Sequence, residues 1–434
     1  MKRKLMDELK KWKVSKDRKP LLMKGARQVG KTYLLQEFGR NEYDSVAYIN
    51  FQKPPAEIVE IFNGTIRPER IISNLEIALN MEIVPGKTLI IFDEVQDVPR
   101  ALESLKYFAE DAPEYHIVSS GSLLGIFLHK DTSFPVGMVN HLRLEPMDFE
   151  EFLIAKGEER LVKALHKESS TSLPFREKLV DAFREYCFVG GMPRLVSDWV
   201  ENGNYNNVGQ LQDEILNDYR GDFSKHTDDM MAMRIRQVFD SLPAQFAKKN
   251  DKFVYGVAKA GARAREYELA IEWLVDAGIV RRVVKVERGD KIPLKAYQDR
   301  STFKLYFVDI GLFCRLSEIP SDVIIKKEAI FNEFNGLIAE QFVLQQLADH
   351  TLYYWTSQSE SEVDFVMQFE NQVIPVEVKS GTNVKAKSLK VYREKYQPTL
   401  AIRFSLLDLV FNDGLLNIPL YYSFLFDSLL DYYT

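Results

Sequence analysis

The sequence predicts an α/β fold built on a parallel sheet, and three observations support this class. Short apolar runs of strand length alternate with amphipathic segments at helical spacing. A glycine-bounded turn joins the first such run, which ends at Lys24, to the helix that follows. A later run ends in the acids Asp93 and Glu94, as expected of a buried parallel strand. Parallel sheets bind ligands at this carboxyl edge, so we expect a site there.

Length, charge and cysteine content bound the classes of protein that remain. With 434 residues, 46% of them hydrophobic, the chain should hold about two to four compact domains. Lys and Arg total 57 against 63 Asp and Glu, a net charge of −6, yet a local basic face would suffice to bind nucleic acid. The cysteines, Cys187 and Cys314, are too few for a disulfide framework or a multi-cysteine zinc site.

The apolar runs predict a cytoplasmic protein without a membrane segment. The start MKRKLMDELKKWK lacks the apolar stretch of a signal peptide. The most apolar stretch near the end, Gly414 to Phe426, is shorter than the ~20 residues that span a bilayer.

The turn after the first strand has the pattern of a phosphate-binding loop. Gly25, Gly30, Lys31 and Thr32 satisfy G-x-x-x-x-G-K-[ST], in which backbone N–H groups surround a phosphate at a helix N-terminus. We expect Lys31 to reach the β and γ phosphates of ATP and Thr32 to offer its hydroxyl to Mg²⁺. The predicted nucleotide-binding residues are Gly25, Ala26, Arg27, Gln28, Val29, Gly30, Lys31, Thr32 and Tyr33.

Two further strand ends carry groups suited to hydrolysis. After the run TLIIF, we expect Asp93 to act as an outer ligand of Mg²⁺ and Glu94 as the base that activates water. Ser120 ends the run YHIVSS and could hydrogen-bond the γ-phosphate or the attacking water, or simply belong to a polar turn. Strand-like runs at Ser45 to Phe51 and Val139 to Leu144 bring the predicted sheet to five strands.

The segments GARQVGKT, LIIFDEVQ, SSGSLLG and LEPMDFEEFL together resemble one group of AAA-type ATPases of bacteria and archaea, over most of the chain. The resemblance implies an AAA-type P-loop NTPase domain at residues 1–150, a helical lid at 151–224 and a winged-helix-like domain at 225–318. It implies a small α/β restriction-endonuclease-like domain, of the PD-(D/E)XK type, at 325–434.

The same resemblance bears on residues that complete an ATPase site. It puts Ser120 at the sensor position of the fourth strand. In this group a basic residue often follows the glycine before the fifth strand, but Met138 stands there in this chain. The trans-acting arginine is therefore unassigned, with Arg100 and Arg143 as candidates that could equally be surface charges. Since AAA-type domains usually need a neighbour's arginine, a homo-oligomer is one implied partner arrangement.

The middle of the chain reads first as helices and then as a basic segment. Helical spacing runs from Asp148 to Phe223, interrupted by a polar loop at 166–174. Between Lys225 and Arg300 we count 16 basic against 11 acidic residues, so this segment reverses the sign of the whole chain. These positions lie in the segment that is predicted to be winged-helix-like.

The basic segment predicts helices at 235–246 and 264–278, followed by a strand at 279–286. A short turn then leads into a second strand that pairs with it. This order is typical of a winged helix, whose second helix can enter the major groove of DNA. Lys259, Arg263 and Arg265 lie at the start of that helix, where phosphates are met. Glu266, Glu268 and Glu272 on the same helix would repel a duplex, so a protein-packing role is the alternative.

The C-terminal part carries a second group of charged residues. Glu340 lies on a predicted helix at 335–347, and Asp364 opens the second strand of a predicted hairpin. In the following strand, Glu377 and Lys379 are two positions apart and therefore face the same way. We expect Asp364 and Glu377 to bind Mg²⁺ and Lys379 to assist formation of hydroxide or stabilise developing charge.

This arrangement resembles the PD-(D/E)XK core. Glu340 matches its helix acid, Asp364 its strand acid, and Glu377 with Lys379 its E-x-K pair. The resemblance implies cleavage of double-stranded DNA. The alternative is a strand on which Glu and Lys merely alternate with valine, in a nuclease-like fold that cuts nothing.

The residues together predict an ATPase that uses Mg²⁺ and couples ATP hydrolysis to action on DNA. One alternative is an ATP-dependent conformational switch that binds a protein partner, with structural C-terminal acids. The other is a nuclease that ATP merely licenses to cut. The two halves of the chain can therefore be tested separately.

Overall fold

The computed structural model of the protein describes residues 1–121, 137–167, 174–225, 227–247, 252–325, 332–357, 361–382, 384 and 387–434. Parts of the SSGSLLG segment, of the polar loop at 166–174 and of the C-terminal hairpin lie outside these residues. The chain forms two compact units, one of Met1–Glu145 with Asp276–Gly278 and one of Pro146–Val275 with Ile279–Thr434. Among the described residues, no helix is both long and apolar enough to span a bilayer.

The first unit contains the predicted parallel sheet. All neighbouring strands run parallel, in the order β2-β3-β4-β1-β5. Strand β3, an interior strand of this sheet, is buried along its whole length, and four of its six residues are apolar. The predicted α/β class and the five strands are confirmed. The strands are β1 (Leu21–Lys24), β2 (Ser45–Asn50), β3 (Thr88–Asp93), β4 (His116–Ser120) and β5 (Asn140–Arg143).

Helices accompany these strands and supply one side of the apolar core. Phe51, Phe62 and Phe92 meet edge to face, with ring centroids 5.4–5.6 Å apart. They hold the helices that precede β3 against the sheet, which fixes the strand end that carries Asp93. The helices are α1 (Leu5–Val14), α2 (Lys31–Glu42), α3 (Ala56–Asn63), α4 (Pro68–Leu79) and α5 (Pro99–Asp111).

The second unit begins with the helical segment predicted from the spacing. Its first helix starts at a capping box, in which Asp148 accepts a hydrogen bond from the backbone of Glu151 at 2.8 Å. The turn after the third helix of the segment is held by a buried carboxylate, since Gly191 N donates to Asp309 Oδ2 at 2.6 Å. The helices are α6 (Phe149–Ala155), α7 (Glu159–Lys167), α8 (Arg176–Val189), α9 (Pro193–Asn202) and α10 (Tyr205–Asp222).

The basic segment has helices followed by an antiparallel strand pair. The strands β6 (Val280–Val286) and β7 (Gln298–Phe307) pair antiparallel, but residues 287–297 connect them in place of the predicted short turn. This connection is anchored because Leu294 is buried among apolar side chains. The helices around the pair are α11 (Asp229–Ala247), α12 (Tyr255–Ala258), α13 (Ala264–Asp276), α14 (Ile310–Leu316) and α15 (Ser321–Ile325).

The C-terminal strands extend the same sheet. Eight strands lie in the order β12-β13-β11-β10-β9-β8-β6-β7, because β6 pairs parallel with β8. Strands from the predicted winged-helix-like and nuclease-like segments therefore share one sheet. The remaining elements are α16 (Asn332–Gln346), β8 (Leu352–Thr356), β9 (Glu362–Phe369), β10 (Gln372–Val378), α17 (Lys387–Tyr396), β11 (Ala401–Ser405), β12 (Val410–Asn412), β13 (Leu415–Pro419) and α18 (Phe426–Tyr433).

Candidate functional site

The loop between β1 and α2 has the backbone that its glycines predict. Gly30 precedes α2 with a φ of 92°, in the left-handed region that favours glycine. A Cβ on Gly25 would lie 2.3 Å from the carbonyl oxygen of Leu144, so only glycine fits there. Among the other predicted nucleotide-binding residues, Ala26 and Val29 are buried, whereas Tyr33 is 52% exposed at the start of α2.

Lys31 lies folded into this loop. Its Nζ donates hydrogen bonds to the carbonyl oxygens of Gly25 at 3.0 Å and Ala26 at 2.9 Å. Burial lowers the pKa of Lys31, and the nearby carboxylates of Glu94 and Asp93 oppose that shift. Because this ammonium group is already buried beside the turn, little further desolvation is needed when it binds phosphate oxygens.

Asp93 is the point at which three segments of the first unit meet. Its carboxylate, 3% exposed, accepts a hydrogen bond from Thr32 Oγ1 at 2.9 Å and one from Ser120 Oγ. Tyr48 on β2 donates a third, at 2.8 Å. Burial, followed by this hydrogen bond, raises the pKa of Tyr48. Sequence reasoning missed Tyr48, because its contact with Asp93 depends on the register between β2 and β3.

Glu94 directly follows β3 in a left-handed conformation, with a φ of 54°. Gln96 Nε2 donates to Glu94 Oε2 at 2.5 Å, which fixes the direction of the carboxylate. Gln96 is another residue that the sequence analysis did not single out. Glu94 lies next to Asp93 at the carboxyl edge of the sheet, and its role as the base that activates water stays a prediction.

The structure gives both candidate arginines contacts within the first unit. Arg143 Nε lies 2.5 Å from Glu145 Oε1, and Arg100 donates to the carbonyl oxygen of Gly64 at 2.9 Å. Both side chains are exposed. A role as a trans-acting arginine stays a prediction for each of them.

The four C-terminal residues predicted as one site do come together in the second unit. Asp364 on β9 accepts a hydrogen bond from the backbone N–H of Val378 at 2.7 Å. Lys379 Nζ donates to Glu377 Oε1 at 2.5 Å, whereas Glu377 Oε2 is buried without a hydrogen-bond partner among the described residues. Glu340 is close enough that the charge of Asp364 acts on it.

Two of these carboxyl groups are strongly perturbed. Desolvation, followed by the charge of Asp364, raises the pKa of Glu340 and that of Glu377 to about 8. Paired carboxylates with raised pKa values in one place are typical of functional sites, although structural clusters show them too.

Strand β7 adds residues to this site that the sequence analysis did not identify. Lys304 forms an ion pair with Glu362, and its side chain is only 13% exposed. Tyr306 OH donates to Glu340 Oε2 at 3.3 Å. The contacts depend on the shared sheet, because β7 reaches the C-terminal strands only through β6 and β8.

Both places offer oxygen atoms of the kind that Mg²⁺ prefers. At the first, the donors are the Thr32 hydroxyl and the Asp93 carboxylate; at the second, the unpartnered Glu377 Oε2 and Asp364. Within the described parts of the chain, no three His, Cys, Asp or Glu side chains form a group that could hold a metal by themselves. Mg²⁺ usually keeps several waters and needs only about one or two carboxylates plus substrate phosphates, so the residues fit this ion.

The start of α13 keeps its predicted basic residues at the surface. Lys259, Arg263 and Arg265 are exposed there. On the same helix, Glu272 accepts a hydrogen bond from Arg282 of β6 at 2.6 Å, which reduces its repulsion of a polyanion. The predicted contact with DNA stays a prediction.

Sequence comparison with known families agrees with the first unit. Residues 17–153 match a family described as "AAA domain". Most of the first unit is thus similar in sequence to AAA domains. Residues 180–323 match a "Domain of unknown function (DUF8612)" and residues 335–422 a "Domain of unknown function (DUF4143)". No curated protein matches the chain in sequence.

Solved structures of several ATPases are similar to the chain at a low level. A Walker-type ATPase of Pyrococcus abyssi is 14% identical with a TM-score of 0.44, covering 72% of this chain and 94% of its own. The ORC1 protein of Aeropyrum pernix, in complex with DNA, is 15% identical with a TM-score of 0.30, covering 73% and 91%. A signal-transduction ATPase of Pyrococcus horikoshii is 13% identical with a TM-score of 0.28, covering 80% and 45%. Similarity at these values supports no argument about function.

Proposed function

We propose that the protein is an ATPase that uses Mg²⁺ and couples ATP hydrolysis to action on DNA through its C-terminal nuclease-like segment. The observation that carries the ATPase part is the 2.9 Å hydrogen bond from Thr32 of the phosphate loop to Asp93 at the end of β3. The two residues are 61 positions apart, and Mg²⁺-dependent hydrolysis of a nucleoside triphosphate such as ATP uses a hydroxyl and a carboxylate placed in this way.

The residues of the first unit divide the work of hydrolysis. Lys31 and the backbone N–H groups after Gly25 bind the β and γ phosphates. Thr32 and Asp93 would hold Mg²⁺, which would neutralise charge on the phosphates. Glu94 accepts a proton from the attacking water. The water oxygen bonds to the γ-phosphorus, and the bond between that phosphorus and the β–γ bridging oxygen breaks. Ser120, through its hydrogen bond to Asp93, helps to hold that carboxylate in position.

The C-terminal part of the proposal concerns phosphodiester cleavage. Strands β9 and β10 are antiparallel neighbours, which brings Asp364, Glu377 and Lys379 to one place. Asp364 and Glu377 would hold Mg²⁺ there, and the ion would act as a Lewis acid on the phosphate. Lys379 stabilises the negative charge that develops on the phosphate oxygens. Double-stranded DNA is the proposed substrate, and a homo-oligomer is the proposed arrangement for the AAA domain.

ATP turnover of purified protein, measured with Mg²⁺ in the presence and absence of linear duplex DNA, tests the coupling. We expect duplex DNA to stimulate turnover and Glu94→Gln, which keeps the size but not the basicity of the side chain, to remove it. Glu82→Gln is a matched control, because Glu82 is exposed and away from the loop. Turnover that is independent of DNA would leave the ATPase standing and remove the coupling.

A second candidate function is an ATP-dependent conformational switch that binds a protein partner. It is favoured by hydrogen bonds that the C-terminal acids already accept within the chain. Glu377 accepts one from Lys379, and Asp364 accepts one from the backbone N–H of Val378. Carboxylates used in this way can be purely structural. The switch requires that neither Glu377 nor Asp364 binds Mg²⁺. Titration of wild-type and Asp364→Asn protein with Mg²⁺ tests this, because the two proteins should then bind the ion equally.

A further inference from the structure

A cavity of about 420 Å³ opens beside the C-terminal acids and is walled by several elements of the second unit. One wall carries Asp364 and Lys379, and the α16 side carries Glu340. Further lining residues come from the predicted winged-helix-like segment, among them Phe246, Phe253 and Lys304. The catalytic residues predicted from the nuclease motif thus form only part of the lining.

Strand β7 is the element that joins these groups of lining residues. Lys304 and Tyr306 are two positions apart, so they face the same side of the strand. Lys304 contacts Glu362, and Tyr306 contacts Glu340. Both acceptor residues also line the cavity. The segment before the nuclease-like strands is therefore built into this site and is not a separate neighbour of it.

The charges and the apolar surface of the cavity indicate the class of ligand. Three lysines, Lys252, Lys304 and Lys379, line it together with the acids Glu340, Glu362 and Asp364. Lysine ammonium groups bind phosphates as compact charges with three donors each. One donor of Lys304 and one of Lys379 are used on carboxylates. Phenylalanine side chains line the same space and suit the face of a nucleobase.

We propose that this cavity binds one nucleotide of an unpaired nucleic-acid strand, with Lys252 and Lys304 as phosphate-binding residues in addition to Lys379. The proposal rests on the proposed function and narrows its substrate from a duplex to an unpaired strand or frayed end. A cavity of 420 Å³ is of small-ligand size. A duplex, in which two strands lie side by side, is too broad to enter it, whereas an unstacked nucleotide can.

Binding of labelled oligothymidylate of about 12 nucleotides to the full-length protein, followed by fluorescence anisotropy in EDTA, tests the proposal without cleavage. We expect wild type to bind this strand more tightly than a blunt duplex of equal length. Lys252→Ala and Lys304→Met should each weaken strand binding by at least about fivefold. Lys295→Ala, an exposed lysine of the same segment that does not line the cavity, should change it by less than about twofold.

The two lysine variants differ in their risk to the fold. Lys304 is itself largely buried and forms an ion pair with Glu362, so Lys304→Met can destabilise the unit. Lys252 is exposed, so its removal should leave the fold intact. Unchanged strand binding by folded Lys252→Ala and Lys304→Met would overturn the proposal.

Further probes separate this proposal from the proposed function. Duplex binding without strand binding would overturn the cavity proposal alone. Binding of neither probe, with duplex DNA also failing to stimulate ATP turnover, would overturn action on DNA as a whole. Tighter binding of an oligouridylate with the same dependence on Lys252 would support the cavity and assign RNA as the strand.

Discussion

The Thr32 hydroxyl donates a hydrogen bond of 2.9 Å to Oδ2 of Asp93, and the Tyr48 hydroxyl donates another of 2.8 Å to the same oxygen. The carboxylate is thus held by the phosphate loop on one side and by strand β2 on the other. All of these hydrogen bonds are made by the chain itself. A preformed carboxylate of this kind lowers the reorganisation that Mg²⁺ binding requires.

Tyr48→Phe removes one of the hydroxyls that hold Asp93. We expect the Mg²⁺ concentration for half-maximal ATP turnover to rise by about tenfold, since loss of an outer partner weakens metal binding. Turnover at saturating Mg²⁺ should stay within about twofold of wild type. Tyr43→Phe is the matched control, because Tyr43 bonds to His116 and not to Asp93. An unchanged Mg²⁺ dependence in Tyr48→Phe would show that Tyr48 has no positioning role.

His116 should make the first unit less stable in mild acid. Burial, followed by the positive charges of Arg18 and Lys13, lowers the pKa of His116 from 6.5 to about 4. Between these pH values the unfolded chain takes up a proton that the folded chain does not, so stability falls as the pH falls. His116→Gln lacks this titration and should show a smaller loss in urea midpoint between pH 7 and pH 5. Equal losses in both proteins would contradict the assignment.

Gly191 should tolerate no side chain. A Cβ there would lie 2.0 Å from the carbonyl oxygen of Met147, while the backbone N–H of Gly191 is bonded to Asp309. We expect Gly191→Ala to lower the free energy of unfolding by about 2 kcal/mol or more. Gly221→Ala in α10 meets no atom within 4 Å and should be neutral or stabilising by roughly 0.5 kcal/mol. Thermal unfolding of both variants measures the difference, and equal melting temperatures would refute the clash.

Lys379→Ala separates the two halves of the proposed function. If the C-terminal site cleaves DNA, Mg²⁺-dependent cleavage should fall by at least about 100-fold, because one preorganised positive group is lost. ATP turnover should survive, since Lys379 lies outside the unit that carries the phosphate loop. Lys390→Ala on α17, 76% exposed, is the matched control. Cleavage by Lys379→Ala at the wild-type rate would rule out this lysine as a catalytic residue.

The sequence predicted those features that depend on local patterns. A few adjacent residues predict the glycine turn, the strand that ends in Asp93, and the spacing of Glu377 and Lys379. The structure contains the turn between β1 and α2 and strands at both other places. Lys31 and Asp93 are far apart in sequence, but both could be assigned to one site because parallel strands share one carboxyl edge.

Contacts that depend on strand order could not be read in the same way. Lys304 reaches the C-terminal acids only because β6 pairs parallel with β8, a pairing between segments that looked like separate domains. Tyr48 reaches Asp93 through the β2 and β3 register, which places Asn50 opposite Asp93. Register between distant strands is set by packing of the whole unit, so no local pattern contains it.

ATP turnover by Lys31→Ala tests whether the protein hydrolyses ATP at its phosphate loop. Lys31 is the only side chain for which the account requires contact with the β and γ phosphates, so turnover should fall by at least about 100-fold. Lys87→Ala removes an exposed lysine of the same unit and should leave turnover unchanged. Loss in Lys31→Ala alone is the predicted result. Wild-type turnover by folded Lys31→Ala would contradict the assignment of this protein as an ATPase.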